Sequence, residues 1–175
     1  MPRRPKQGSP PSSGSGATGS APLHDDWHEF LATLLSRNIR FVLIGGHAVA
    51  VHAEARFTED LDVLVDRAPR NARKLHAALV EFGFGSMVPD PSELTERDQV
   101  WMLGRKPYRI DVLTSVSGVS FARAWKNRVI VGLAGLDVPV IGRAELIANK
   151  RAAGRDKDRF DLDLLAKYPP RARKR

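Results

Sequence analysis

Between Phe41 and Val65 the chain passes from an apolar stretch through Gly45-Gly46 and a short alanine-rich segment. It then enters a second apolar stretch that carries Asp60 and Asp62. No other feature constrains the fold as much. "RFVLI" (Arg40–Ile44) reads as a short strand, His47 to about Glu54 as a short helix, and "DLDVLV" (Asp60–Val65) as a second strand. Side chains alternate across a strand, so Asp60 and Asp62 share one face while Leu61, Val63 and Val65 point into a core. Two adjacent carboxylates repel, and leaving them unpaired beside a core is costly. A divalent cation removes both problems. Mg²⁺ prefers oxygen ligands and is typically held by one or two carboxylates plus substrate phosphates.

A third acid repeats the pattern. In "YRIDVL" Asp111 interrupts another apolar run. If that strand lies beside Asp60–Val65, three carboxylates converge, which suits metal-assisted phosphoryl transfer. The Gly45-Gly46 turn opens a helix, where free backbone N–H groups favour phosphate, and glycine permits close approach.

The rest of the chain frames these strands. His24–Asn38 is helical by the spacing of Trp27, Phe30, Leu31, Leu34 and Leu35. "APRNARKLHAALVEFGF" is a helix with Leu75, Leu79 and Phe82 among its core positions, followed by a Pro/Asp/Glu-rich loop over 86–96. "QVWML" and "YRIDVLT" bracket "GRKP" as an antiparallel pair. "SFARAWKN" is a short helix, and "RVIVGLAGLDVPVIG" is a further extended pair. "RAELIANKRAA" is a helix ending at Gly154, and a last helix starts near Asp156 and stops at Pro169-Pro170. The order predicts one small α/β or α+β domain.

Charge and composition set the boundaries. Residues 1–22 are Pro/Gly/Ser-rich with no large apolar residue after Met1, which predicts a disordered tail. Residues 171–175 form a basic C-terminal tail. These tails hold 7 of the 28 basic residues and none of the 20 acidic ones, so the net charge of +8 leaves the body, 23–170, near neutral. No apolar run reaches the ~18 residues of a membrane helix. The chain has no cysteine. A cytoplasmic protein without a membrane partner is expected.

The strand ending in Gly-Gly, the thirteen residues that follow and then Asp-Leu-Asp-Val, joined to Asp111, resemble the signature of the DNA polymerase β-like nucleotidyltransferase superfamily. Arg56-x-Thr58-x-Asp60 resembles the lead-in of small bacterial members. "LIANKRAAGRDKDRFDLDLL" is similar to the lysine-bearing helix and Arg-x-x-Asp-x-x-Asp-like segment of abortive-infection type IV toxins. The resemblance covers Arg40 to Leu165. It implies an α+β fold: a small mixed sheet flanked by helices, with helices at the C-terminus. The implied reaction is transfer of a nucleoside monophosphate from an NTP to a hydroxyl of tRNA, protein or a small molecule. Mg²⁺ or Mn²⁺ is the implied cofactor, and an antitoxin an implied partner. Asp60, Asp62 and Asp111 would hold metal, with Asp111 also drawing the acceptor's proton. Gly45 and Gly46 would cradle phosphates, and Lys150 would reach the triphosphate. Arg56 and Thr58 join the nucleotide-binding set, as does His47 beside the glycine turn.

Plainer readings stand beside these. Asp158 and Asp161 suit the first turns of the last helix as dipole partners. His24 and His28 have the spacing of a zinc pair, but no third ligand is evident. A module that kept the fold and binds nucleotide or nucleic acid without turnover is the alternative to an enzyme.

Overall fold

The computed structural model describes residues 23–54 and 58–169. The tails expected at 1–22 and 171–175, and Arg56, lie outside the described residues. The described residues form six α-helices: α1 (Asp25–Ser36), α2 (Gly45–His52), α3 (Pro69–Phe82), α4 (Phe121–Lys126), α5 (Arg143–Ala153) and α6 (Asp156–Lys167). Six strands accompany them: β1 (Phe41–Leu43), β2 (Asp60–Val65), β3 (Val100–Leu103), β4 (Arg109–Leu113), β5 (Val129–Leu133) and β6 (Leu136–Val140). They form one sheet in the order β3-β4-β2-β1-β6-β5. Pairing is parallel for β1–β6 and β2–β4 and antiparallel elsewhere, so the sheet is mixed and the fold α+β.

Local chemistry explains the boundaries. His24 caps α1 by accepting from the Asp26 amide, and Asp25 and Asp26 complement the helix dipole in the first turn. His24 also stacks on Tyr108 at 3.6 Å, and His28 Nε2 lies 3.2 Å from the Ala134 carbonyl, so both rings of the zinc-like pair serve packing. Trp27, Phe30, Leu31 and Leu34 form α1's buried stripe. Pro69 opens α3, where its missing N–H removes nothing from the helix ladder. Ala134 and Gly135, both at positive φ, turn β5 into β6. Gly154 ends α5 in the left-handed conformation.

Two boundaries differ from the sequence expectation. β1 has three residues rather than five, and α2 starts at Gly45 rather than His47. Gly45 adopts φ +64°, which lets the chain enter a helix directly from the strand end. The loop over 86–96 contains part of one 3₁₀ turn, Gly85–Met87, and all of another, Glu93–Thr95.

The core joins α1 and α3 to the buried strands, with Phe41, Val42, Leu43, Leu61, Val63 and Leu64 fully inside. The helix α2 packs against β2, α5 and α6, and so brings the glycine turn, the acid-bearing strand and the C-terminal helices together.

Candidate active site

The parallel register of β2 and β4 builds the site. Asp62 stands opposite Asp111, and Asp60 opposite Arg109. Alternation places these four side chains on one face. On the other face Leu61, Val63, Ile110 and Val112 are buried. The three carboxylates singled out in the sequence therefore meet, and Arg109 joins them. Arg109 Nε and Nη2 donate to Asp111 Oδ1 and Oδ2 at 2.7 and 2.9 Å, and Nη2 lies 3.1 Å from Asp60 Oδ2. The bonds to Asp111 hold the Arg109 guanidinium above its ordinary pKa.

Asp62 is held by the glycine turn. The Ile44 amide donates to the Asp62 carbonyl at 3.0 Å, which seats Gly45 directly beside the Asp62 side chain. A Cβ at Gly45 would overlap Asp62 Oδ2 and lie 2.7 Å from Cγ. Glycine is thus required here for its positive φ and for space. No side chain caps α2's start, so its first amides are available to an anion.

A cavity of about 560 Å³ opens over this face. One wall carries Gly45, Gly46, Thr58, Asp60 and Asp62; the other carries Asn149, Lys150, Arg155 and Lys157 from α5, α6 and their connection. Ser115 and Ser117, after β4, also line it. Burial pushes the Asp62 carboxyl up to about 6; the charges of Asp111 and Asp60 add to this, and Lys157 opposes it. Lys150 opposes it as well, but burial and the two like charges outweigh both lysines.

Other expected site residues take different places. Thr58 lines the cavity, and its Oγ1 donates to the Asp60 carbonyl at 3.2 Å. His47 packs edge-on against Trp27, ring centroids 5.0 Å apart, and is not among the cavity-lining residues. The helix α2 starts two residues earlier than the sequence suggests, so His47 falls on the side of the first turn facing α1. Lys150 lines the cavity yet is only 3% exposed, with Nζ 2.8 Å from both Asp158 Oδ1 and Asp161 Oδ2. Asp158 and Asp161 are fully buried, so they act as more than dipole partners. Burial pushes Asp158 up, but hydrogen bonds from Arg155 and Lys150 outweigh it and hold the carboxyl at about 2.

Sequence reasoning did not single out Arg109 or Lys157, and noted Arg155 only as part of the Arg-x-x-Asp-x-x-Asp-like segment. The signal for Lys157 was present: a basic residue inside that segment, just after the helix-ending Gly154.

The donor set fits a hard divalent cation. Asp60 Oδ1 is buried and has no hydrogen-bond partner among the described residues, and burial together with the charges of Asp111 and Asp60 disfavours the Asp62 carboxylate unless a cation joins it. Among the described residues no group of three or more His, Cys, Asp or Glu side chains is placed to hold a metal ion, and Asp111 is bonded to Arg109. Asp60 and Asp62, completed by phosphate oxygens, are the pair that fits.

Comparison with known proteins bears on the family and the fold. Residues 26–166 match the family described as "Nucleotidyltransferase of unknown function (DUF6036)". No curated protein sequence matches the chain. Among solved structures, ANT(2″)-Ia in complex with adenylyl-2″-tobramycin is 17% identical with a TM-score of 0.54, covering 81% of this chain and 86% of that one. The lincomycin-bound lincosamide antibiotic adenylyltransferase LnuA is 13% identical with a TM-score of 0.55, covering 86% of this chain and 100% of that one. A candidate nucleotidyltransferase of Thermotoga maritima, TM1012, is 13% identical with a TM-score of 0.54, covering 81% and 89%. At these identities the likeness concerns the fold. With the family match spanning most of its length, the chain belongs to the DUF6036 family of nucleotidyltransferases and is an enzyme of that class.

Proposed function

We propose that the chain transfers a nucleoside monophosphate from an NTP to a hydroxyl of a small polar molecule, at the face built by Asp60, Asp62 and Asp111. The observation that supports this is the Asp62–Asp111 register beside Gly45, which groups three carboxylates on one strand face, with Asp60 and Asp62 lining a cavity of about 560 Å³. Asp60 and Asp62 would hold Mg²⁺ or Mn²⁺. The chemistry supplied there is neutralisation of charge on the triphosphate and activation of the acceptor oxygen.

The chain's own groups do the rest. Amides at Gly45 and Gly46 bind phosphate oxygens, and Thr58 braces the strand end that carries Asp60. Lys157 and Arg155 present positive charge from the opposite wall. Lys150 adds charge from a fixed position between Asp158 and Asp161, so it shapes the field more than it follows the substrate. Arg56 belongs to the same nucleotide-binding set by its place in the sequence. Asp111 takes the acceptor's proton as the acceptor oxygen bonds to the α-phosphorus and the bond to pyrophosphate breaks.

A small-molecule acceptor is favoured by two points. Neighbours of this fold include adenylyltransferases of antibiotics, and the body's charge is near neutral, with 21 basic against 20 acidic residues over 23–170. A tRNA duplex would call for a broad basic surface. The second reading is a toxin acting on tRNA or protein and held by an antitoxin. The Arg155-x-x-Asp158-x-x-Asp161 segment gripping Lys150 favours it, because it matches the toxin-like part of the sequence. Among the described residues no helix is long and apolar enough to cross a membrane. A cytoplasmic location remains part of this proposal.

The test uses purified protein, Mg²⁺ or Mn²⁺, and each NTP labelled at the α- or γ-phosphate, offered to small hydroxylated compounds, total RNA and cell protein. Label from the α-position alone, on the small-molecule fraction, supports the proposal. Label on RNA or protein supports the toxin reading. Nucleotide binding without transfer to any pool establishes the silent-module alternative.

A further inference from the structure

We propose that Arg109 is a positioning residue that competes with the divalent cation for Asp60 and Asp111, and so couples metal binding to nucleotide binding. This rests on the transfer reading above. Arg109 precedes Asp111 by two residues on β4 and faces Asp60 across the parallel pair. Its guanidinium forks onto both Asp111 oxygens and reaches Asp60 Oδ2 with the same Nη2. Forked, charge-assisted bonds of this kind are strong and directional. They engage two of the three acids on the site face.

A guanidinium stays protonated under all ordinary conditions, so its charge leaves the acids only by moving. The Arg109 side chain is 22% exposed, which leaves it an exit toward solvent. Its bonds go to Asp111 and to Asp60 Oδ2, while Asp60 Oδ1 is buried without a hydrogen-bond partner among the described residues. Arg109 therefore neutralises the cluster partially and leaves Asp60 Oδ1 unengaged. A bare cation must evict the guanidinium to gain Asp111. An arriving triphosphate changes the balance, because its anionic oxygens offer the guanidinium new partners. Metal and nucleotide then bind with positive coupling, which is reciprocal by linkage.

The experiment measures Mn²⁺ affinity by electron paramagnetic resonance, with and without a non-hydrolysable NTP, for wild type, Arg109→Met and Arg109→Lys. Removing a unit charge within bonding distance of two ligand carboxylates should tighten Mn²⁺ binding to the nucleotide-free protein by roughly tenfold or more. The gain in Mn²⁺ affinity on adding nucleotide should shrink accordingly. Arg109→Lys, with one point charge and no fork, should fall between; it decides the matter if the Met variant does not fold. A residue with a merely structural role would lower the melting temperature and leave Mn²⁺ affinity and coupling unchanged, and that result in folded variants overturns the proposal while leaving the transfer reading intact. Weaker Mn²⁺ binding in the variants also overturns it. No Mn²⁺ binding to any of the proteins, with or without nucleotide, overturns the metal assignment and this proposal together.

Discussion

Asp62→Asn should stabilise the metal-free protein and destroy its function. Burial, reinforced by the charges of Asp111 and Asp60, lifts the Asp62 carboxyl from 3.8 to about 6 in the folded chain. Its folded pKa lies above its unfolded value. The stability it contributes is therefore fully present below about pH 4 and is lost as pH rises through about 6. The shift corresponds to about 3 kcal/mol at most, and partial exposure of the carboxylate reduces this to about 1–3 kcal/mol. Asparagine keeps the shape and cannot ionise, so the variant lacks this loss. In EDTA at pH 7.5 it should melt about 3–10 °C above wild type, given the usual relation between stability and melting temperature for a domain this size. The gap should close toward pH 4. Saturating Mg²⁺ with a non-hydrolysable NTP should reverse the order, because ligand binding to the folded state stabilises wild type alone. Differential scanning fluorimetry across pH, with and without metal, reads all of this. Equal melting of the two proteins at pH 7.5 in EDTA, or a more stable wild type, would refute the reasoning.

Gly45→Ala should cost about 1–2 kcal/mol from its left-handed backbone alone. It should also push the Asp62 carboxylate away, because the added Cβ would lie 2.7 Å from Asp62 Cγ. Denaturant melts and NTP titration check both effects, and a stable variant with wild-type nucleotide affinity would contradict the close-approach argument. Lys150→Met should destabilise the fold by about 3–5 kcal/mol, since it strips a buried ammonium from two buried carboxylates. Adding Asp158→Asn and Asp161→Asn should recover part of that loss, as read by urea unfolding. The same cluster makes the protein acid-labile. Asp158 is held at about 2, below its unfolded value, so its contribution is complete above about pH 4 and is lost as pH falls toward 2. An acid titration of wild type and Asp158→Asn, followed by tryptophan fluorescence, should show a shallower loss in the variant.

The acids were legible because they break local rules: an Asp inside an apolar strand signals a function wherever it sits. The glycine pair was legible because a turn between strand and helix needs left-handed freedom, and Gly45 supplies it at φ +64°. Strand alternation then gave the shared face of Asp60 and Asp62 without any tertiary knowledge. Their meeting with Asp111 depended on which strands pair, which the sequence could raise only as a condition. Arg109 was half legible: alternation puts it on the face of Asp111, two residues on, but its second partner Asp60 is 49 positions earlier and is brought beside it only by the parallel register. The fate of Lys150 was hidden because α5 and α6 fold back on each other at Gly154, and that packing turns two apparent first-turn acids into buried counter-ions. The setting of His47 was hidden in the helix start. A two-residue shift rotates a helical side chain by about 200°, which is enough to move it from the phosphate turn to Trp27.

The central claim is that Asp60 and Asp62 form the working centre of a nucleotidyl transfer. The most direct measurement is metal-dependent transfer of α-labelled nucleotide under single-turnover conditions by wild type, Asp60→Asn and Asp62→Asn, each verified as folded. Loss of transfer by a factor of about 10³ or more in both variants is predicted, because each would loosen the cation that neutralises the developing charge, and losing one such preorganised stabiliser has effects of that order. Transfer at the wild-type rate by either folded variant would contradict the account.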